Sequence, residues 1–333
     1  MHIGRFPTPI VLPIGIVSAC FSADHINALT QEPQANAGQA IAEAQHRIEL
    51  RTTDSEDPLT PAKGSAGDVN PSVDVRSLSG PSESTKRRIE DEMVSLDKLR
   101  KIYQANGDRR REATVLLQIG SCYGALGQMQ KAIDHDKEAL PIWKDLKDSG
   151  GEASTLAHIG DVYRLWGFPD QAIRSYEASL PHYELTSDVA SRAAVVNNIA
   201  LSYMALGKRK KTLENLNRAL AIYQVLKDET GEAATLCNLG SAYNAWHDGK
   251  RALNFLSRAL PLMRAAGNRV NEAAVLNDMG SAYANLHDRE NALLRYQQAR
   301  LIFSDLHDSA REAAVVRNMD RLGSGAATYA ALR

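Results

Sequence analysis

The sequence predicts an all-α solenoid of antiparallel helix-turn-helix units. Three observations predict it. A two-residue block returns every 40 residues: Ile119-Gly120, Ile159-Gly160, Ile199-Ala200, Leu239-Gly240, Met279-Gly280 and Met319-Asp320, six times without an insertion. Three residues beyond the block stand Tyr123, Tyr163, Tyr203, Tyr243 and Tyr283. Within a unit, apolar residues recur at helical spacing, as in Val115, Leu116, Ile119, Tyr123 and Leu126.

Residues 1–23 read as an export signal. His2 and Arg5 precede an apolar stretch from Pro9 to Ala19, and small residues follow. The stretch is shorter than the roughly 20 residues that a membrane-spanning helix needs. Val17-Ser18-Ala19-Cys20 has the form of a bacterial lipobox, which makes Cys20 the lipidation candidate. The expected location is therefore exported, periplasmic or envelope-anchored. The alternative is a disordered apolar N-terminus on a cytoplasmic protein, a view favoured by prolines at 7, 9 and 13. Residues 24–83 hold one candidate short helix, Gln34 to Leu50. From Thr52 to Ser84 the chain is rich in Ser, Pro, Gly and Asp and too poor in large apolar residues to offset its ordering entropy, as in a flexible linker.

Residues 84–110 match the second helix of a unit, with Leu99 aligned to Ala139 and Tyr103 to Trp143, and serve as an N-terminal cap. Five units follow at 111–150, 151–190, 191–230, 231–270 and 271–310. In the first, helix A is expected over Arg111–Leu126 and helix B over Met129–Leu146. Gly120 and its equivalents mark a close crossing of the two helices, where a Cβ would hold them apart. Ala132, Ala172, Ala252 and Ala292 face the same crossing. Gly127, Gly167 and Gly207 end helix A in a left-handed cap, and His247 and His287 take that place in later units. Pro141, Pro181 and Pro261 fall at one position inside helix B, where a proline costs about 3 kcal/mol and bends the helix. In residues 311–333, Arg311–Leu322 repeats helix A once more, and Gly323-Ser324-Gly325 is expected to break it.

Further slots are as regular: small residues at 132, 172, 212, 252 and 292 and at 139, 179, 219, 259 and 299, and large ones at Trp143, Tyr183, Tyr223, Met263 and Phe303. This pattern resembles the tetratricopeptide repeat from about Ser84 to the C-terminus. It does so in a 40-residue form without the closing proline, similar to the repeats of kinesin light chains, spindle-orientation adaptors and bacterial multi-repeat proteins. The resemblance implies a right-handed superhelix with helix A lining a concave groove that receives protein or extended peptide. Residues at the groove positions are Gln118, His158, Asn198, Asn238, Asp278 and Asn318, with Asn197 and Asn277 beside them. In kinesin-light-chain-like repeats, asparagines there contact peptide backbone, a role the resemblance carries onto Asn198, Asn238 and Asn318, then Asn197 and Asn277. An amide suits it, offering both donor and acceptor regardless of peptide sequence. Solvation of an open face, or bonds to neighbouring helices, would account for the same residues.

The net charge of −1 gives no reason to expect a nucleic acid or an anionic membrane as main partner. The basic runs Arg109–Arg111 and Lys208–Lys211 fall at turns. A membrane enters only through the candidate lipid anchor. Three cysteines are no disulfide framework, and the nine histidines show no metal-ligand spacing, so no cofactor or metal is expected. His135 beside Asp136 and His158 near Asp161 are the mild titratable candidates, and surface helix positions are expected to account for them. The expected function is a non-enzymatic binding scaffold or adaptor. The alternatives are a regulatory or sensor accessory of a protease-like or signalling system and, behind it, an enzyme with an unrecognised groove site.

Overall fold

The computed structural model describes the backbone of residues 83–331 and the side chains of residues 83–323. The export signal, Cys20 and the candidate helix Gln34–Leu50 lie outside the described residues. Twelve α-helices and no strand occur among those described: α1 (Glu83–Ala105), α2 (Arg109–Ala125), α3 (Met129–Asp145), α4 (Ser149–Trp166), α5 (Pro169–Leu185), α6 (Val189–Ala205), α7 (Arg209–Leu226), α8 (Glu229–Ala245), α9 (Gly249–Ala265), α10 (Arg269–Asn285), α11 (Arg289–Asp305) and α12 (Ser309–Ala331).

One turn, repeated, joins them. A residue with positive φ stands every 20 residues, at Gly107, Gly127, Lys147, Gly167, Ser187, Gly207, Lys227, His247, Gly267, His287 and His307. Around Lys147, the Asp148 N–H bonds to the Trp143 carbonyl at 2.9 Å and the Lys147 N–H to the Lys144 carbonyl at 3.0 Å. These two bonds satisfy carbonyls that the helix end would leave unpaired, the Schellman arrangement. The next residue begins the following helix. Asp148 Oδ1 accepts the Gly151 N–H at 2.9 Å, and Asp108, Asp188, Asp228, Asp248, Asn268, Asp288 and Asp308 cap their helices in the same way. Gln128 and Phe168 stand at this position without a side-chain cap bond.

The described residues form two compact units, 83–222 and 223–331. In the first, α2 pairs with α3 and α4 with α5, and α1, α3 and α5 each pack on the helix that follows. In the second, α8 pairs with α9 and α10 with α11, and α12 packs on α11. Successive A helices also touch: α4 meets α6 in the first unit, and α8 meets α10 and α10 meets α12 in the second.

The hairpins cross as closely as the glycines require. A Cβ at Gly160 would lie 2.6 Å from the Tyr176 ring, at Gly240 2.5 Å from Leu256, and at Gly280 2.6 Å from Tyr296. Ala132, Ala172, Ala252 and Ala292 are fully buried there. The opposing slot thus holds Tyr176, Leu216, Leu256 and Tyr296, but Asp136 in the first hairpin, where a Cβ on Gly120 would come within 2.5 Å of the carboxylate. Pro141, Pro181 and Pro261 sit inside α3, α5 and α9, which continue through them.

One expectation fails. Gly323-Ser324-Gly325 does not end the last helix, which runs on to Ala331. A helix-interior glycine costs only about 1 kcal/mol, and the alanines that follow are strong helix formers.

Candidate functional site

The A helices place the predicted residues on the faces by which they meet one another. In the first unit, Gln118 on α2 is half-buried, and Asn197 on α6 is buried. Asn198 donates from Nδ2 to Asp161 Oδ1 on α4, at 3.0 Å. Asp161 Oδ1 also accepts the Tyr176 hydroxyl at 2.6 Å, and Arg164 Nε donates to that hydroxyl at 3.3 Å. Burial, with Asp161 alongside, holds the Tyr176 phenol well above its ordinary range.

His158 corrects the surface expectation. It lies on α4, bonded not to its near neighbour Asp161 but to two residues of the preceding hairpin. Its Nδ1 is 2.7 Å from Asp136 Oδ2 on α3, and its Nε2 is 3.1 Å from Ser121 Oγ on α2. The Asp136 side chain is 0% exposed and that of His158 11%. Asp136 Oδ1 is buried without a hydrogen-bond partner among the described residues. Burial pushes the Asp136 carboxyl above the usual carboxylate range, against the pull of the His158 bond. For His158, burial disfavours the charged ring, but the bond and charge of Asp136, with the charge of Asp161, outweigh it and raise the imidazole above its usual value. His135 lies by contrast 3.8 Å from the carboxylate of Glu138, one turn along the same helix. It stacks on Tyr123, ring centres 5.2 Å apart.

In the second unit, Asp278 Oδ2 on α10 accepts the Ser241 hydroxyl from α8 at 2.6 Å, and its backbone carbonyl accepts Asn244 Nδ2 at 2.8 Å. Burial pushes the Asp278 carboxyl up to about 6, although bonds from Ser241 and Asn277 pull the other way. Asn318 Nδ2 donates to Asn277 Oδ1 across α12 and α10, at 2.9 Å. Asn285 Nδ2 donates to the Asn244 carbonyl at 3.1 Å. Asn238 is buried on α8.

A rule connects these bonds. The residue after the block glycine reaches the residue 37 positions on: Ser121 to His158, Asp161 to Asn198, Ser241 to Asp278. Neighbouring A helices are therefore joined by polar rungs. The structure brings Asn277, Asp278 and Asn318 into one such set and places His158 and Asn198 on two separate rungs. Tyr176, Asn244 and Asn285 belong to these sets and were missed in the sequence, where Asp136 was paired with His135 rather than with His158. Asp136 was detectable there, as a carboxylate in a slot that is otherwise Tyr or Leu. Among the described residues no cluster of His, Cys, Asp and Glu could hold a metal ion, and no helix is long and apolar enough to cross a membrane.

The family model for the tetratricopeptide repeat matches residues 111–184 and 191–265. No curated protein matches the sequence. Solved structures share the fold. BtubC (BKLC) from P. vanneervenii superposes with a TM-score of 0.58 at 21% identity, over 66% of this chain and 92% of that one. The apo form of RapI gives 0.57 at 16% identity, over 67% and 84%. The apo form of the quorum sensor NprR from B. thuringiensis gives 0.54 at 17% identity, over 70% and 65%. Residues 111–184 and 191–265 thus match the tetratricopeptide repeat in sequence, and the described helices share the fold of these solved structures.

Proposed function

We propose that the chain is a non-enzymatic scaffold whose A-helix faces receive an extended peptide or a protein segment. The observation that carries this is the row of polar side chains returning every 40 residues: Gln118, His158, Asn198, Asn238, Asp278 and Asn318, with Asn197 and Asn277 beside them. The rungs hold several of these in place, so little side-chain freedom is left to lose on binding. Asn198 spends one amide N–H on Asp161, and an amide carries a second N–H and a carbonyl oxygen. A regulatory or sensor accessory is the second role this fold supports, and the quorum sensor NprR shares the fold.

The test is to select a peptide against the full chain and measure its affinity for Asn198→Ala and Asn238→Ala. Each lost hydrogen bond is worth about 1 kcal/mol, so the double variant is expected to bind at least roughly tenfold more weakly. Unchanged affinity with intact helicity removes both residues from the site. Export and lipid attachment at Cys20 belong to the same proposal. Intact mass of wild type beside Cys20→Ser, expressed in a bacterial host, tests them: retention of Met1 and an unlipidated chain would sink both.

A further inference from the structure

We propose that Ser121 is a base-activated nucleophile that takes an acyl or phosphonyl group from an activated ester, with His158 as its base and Asp136 positioning His158. The three side chains come from three helices, α2, α4 and α3, and stand in the order nucleophile, base, orienter. Ser121 Oγ is 3.1 Å from His158 Nε2, and His158 Nδ1 is 2.7 Å from Asp136 Oδ2. This is the geometry by which a serine hydroxyl is activated on unrelated folds.

A second observation is independent of those distances. Asp136 occupies the slot that holds Tyr176, Leu216, Leu256 and Tyr296 in the other hairpins. A completely buried carboxylate with an unpartnered oxygen is a poor substitute for an aromatic or aliphatic core residue. Local rules of this kind are broken where function requires it. The other rungs of the array lack an imidazole: Asp161 meets Asn198, and Ser241 meets Asp278. The feature is thus confined to the first two repeats and is not part of the repeat pattern. Ser121 is half-buried on α2, while Asp136 is fully buried.

The hydroxyl of Ser121 has two acceptors in range, His158 Nε2 and the Leu117 carbonyl at 3.0 Å, and a hydroxyl rotates between them freely. When it points to Nε2, Oγ attacks the carbonyl carbon of an ester. Its proton passes to His158 Nε2, the bond to the leaving alkoxide breaks, and the alkoxide takes that proton as the alcohol. The product is an acyl ester of Ser121. The backbone N–H of a mid-helix serine is committed to its own helix, so the developing oxyanion has side-chain donors alone. Gln118 lies three residues back on the same face of α2. The chemistry expected is capture of one group with slow release, rather than rapid turnover.

The experiment exposes the full chain to a fluorophosphonate probe and locates the adduct by intact mass and peptide mapping. Fluoride leaves as the phosphorus–oxygen bond forms. Wild type is expected to carry one adduct, on Ser121, absent from Ser121→Ala. In His158→Asn, which installs the residue found at 198, 238 and 318, with intact helicity confirmed on the same sample, the labelling rate should fall on the order of 100-fold. The rate should rise with pH as His158 becomes neutral, and in Asp136→Asn its midpoint should move to lower pH as the carboxylate's hold on the charged ring is lost. The plateau rate at high pH, where His158 is neutral, should also fall in Asp136→Asn; a purely structural carboxylate would shift the midpoint and leave that plateau unchanged. No adduct on the folded wild type, an adduct at another residue, or an unchanged rate in His158→Asn overturns the proposal.

Discussion

Replacing His158 with Ala leaves the Asp136 carboxylate, 0% exposed, without the partner that holds it at 2.7 Å, while its other oxygen already has none. Breaking a buried ion pair by removing one partner costs about 3–5 kcal/mol. At roughly 2–4 °C per kcal/mol for a protein of this size, the melting temperature should drop by about 10 °C. Repeat arrays open locally, so hydrogen exchange should show lost protection centred on α2, α3 and α4. The double variant Asp136→Leu/His158→Asn installs at both positions residues that other repeats use there. Because a buried pair exchanged for well-packed groups is often neutral or stabilising by about 1–4 kcal/mol, it should melt no lower than wild type. The pair also fixes a sign for pH. Both folded-state values lie above the ordinary 3.8 and 6.5, so the folded chain binds more protons than the unfolded one. Stability must then fall as pH rises from the carboxylate range through the raised value of His158, and the double variant should lose this slope. A cost below about 1 kcal/mol for His158→Ala, too small for exposure of a buried unpaired charge, or a double variant as unstable as the single, would refute the reasoning.

Other perturbations follow from the same packing. Lys147 and Lys227 sit at φ of 53° and 55°, a conformation that costs an L-residue about 1–2 kcal/mol. Gly at either position should stabilise by about 0.5–1 kcal/mol after its greater freedom in the unfolded chain is counted, read as a higher melting temperature. Gly160→Ala drives a methyl to 2.6 Å from the Tyr176 ring, which is buried and tethered to Asp161, and should cost about 2 kcal/mol in a denaturant titration. Asp278, pushed up to about 6 from 3.8 mainly by burial, favours the folded state when protonated and loses that advantage as pH rises from about 4 through 6. The full swing is on the order of 3 kcal/mol, and Asp278→Asn should flatten melting temperature against pH across that window.

The close crossings were legible because the 40-residue period lines up every glycine with the residue it opposes, and any Cβ there has nowhere to go. The helix-A turn was legible for the same reason at Gly127, Gly167 and Gly207. The matching turn after helix B carries glycine only at 107 and 267 and was not legible at Lys147, Ser187, Lys227 and His307, where the Schellman bonds impose the left-handed conformation. Asp148, Asp188, Asp228, Asn268 and Asp308 also recur at the 40-residue period, and each caps the helix that follows. The break expected at Gly323 failed because glycine lowers helix propensity without forbidding a helix. The pairing of His158 with Asp136 escaped because the bond joins residues 22 positions apart on different hairpins, where no short motif looks. Aligning Asp136 with Tyr176, Leu216, Leu256 and Tyr296 is what betrays it.

The turn that recurs every 20 residues also constrains how such a chain can change in length. Each helix and its connection of two or three residues form one segment of 20 residues, so the faces of all later helices depend on keeping that count. Losing one residue within a helix turns everything beyond it by about 100° about the helix axis, moving the buried face toward solvent. Losing 20 keeps every turn intact but sets a B face where an A face must pack. Only steps of 40 preserve both, so arrays of this kind can lengthen or shorten without unfolding in quanta of whole hairpins.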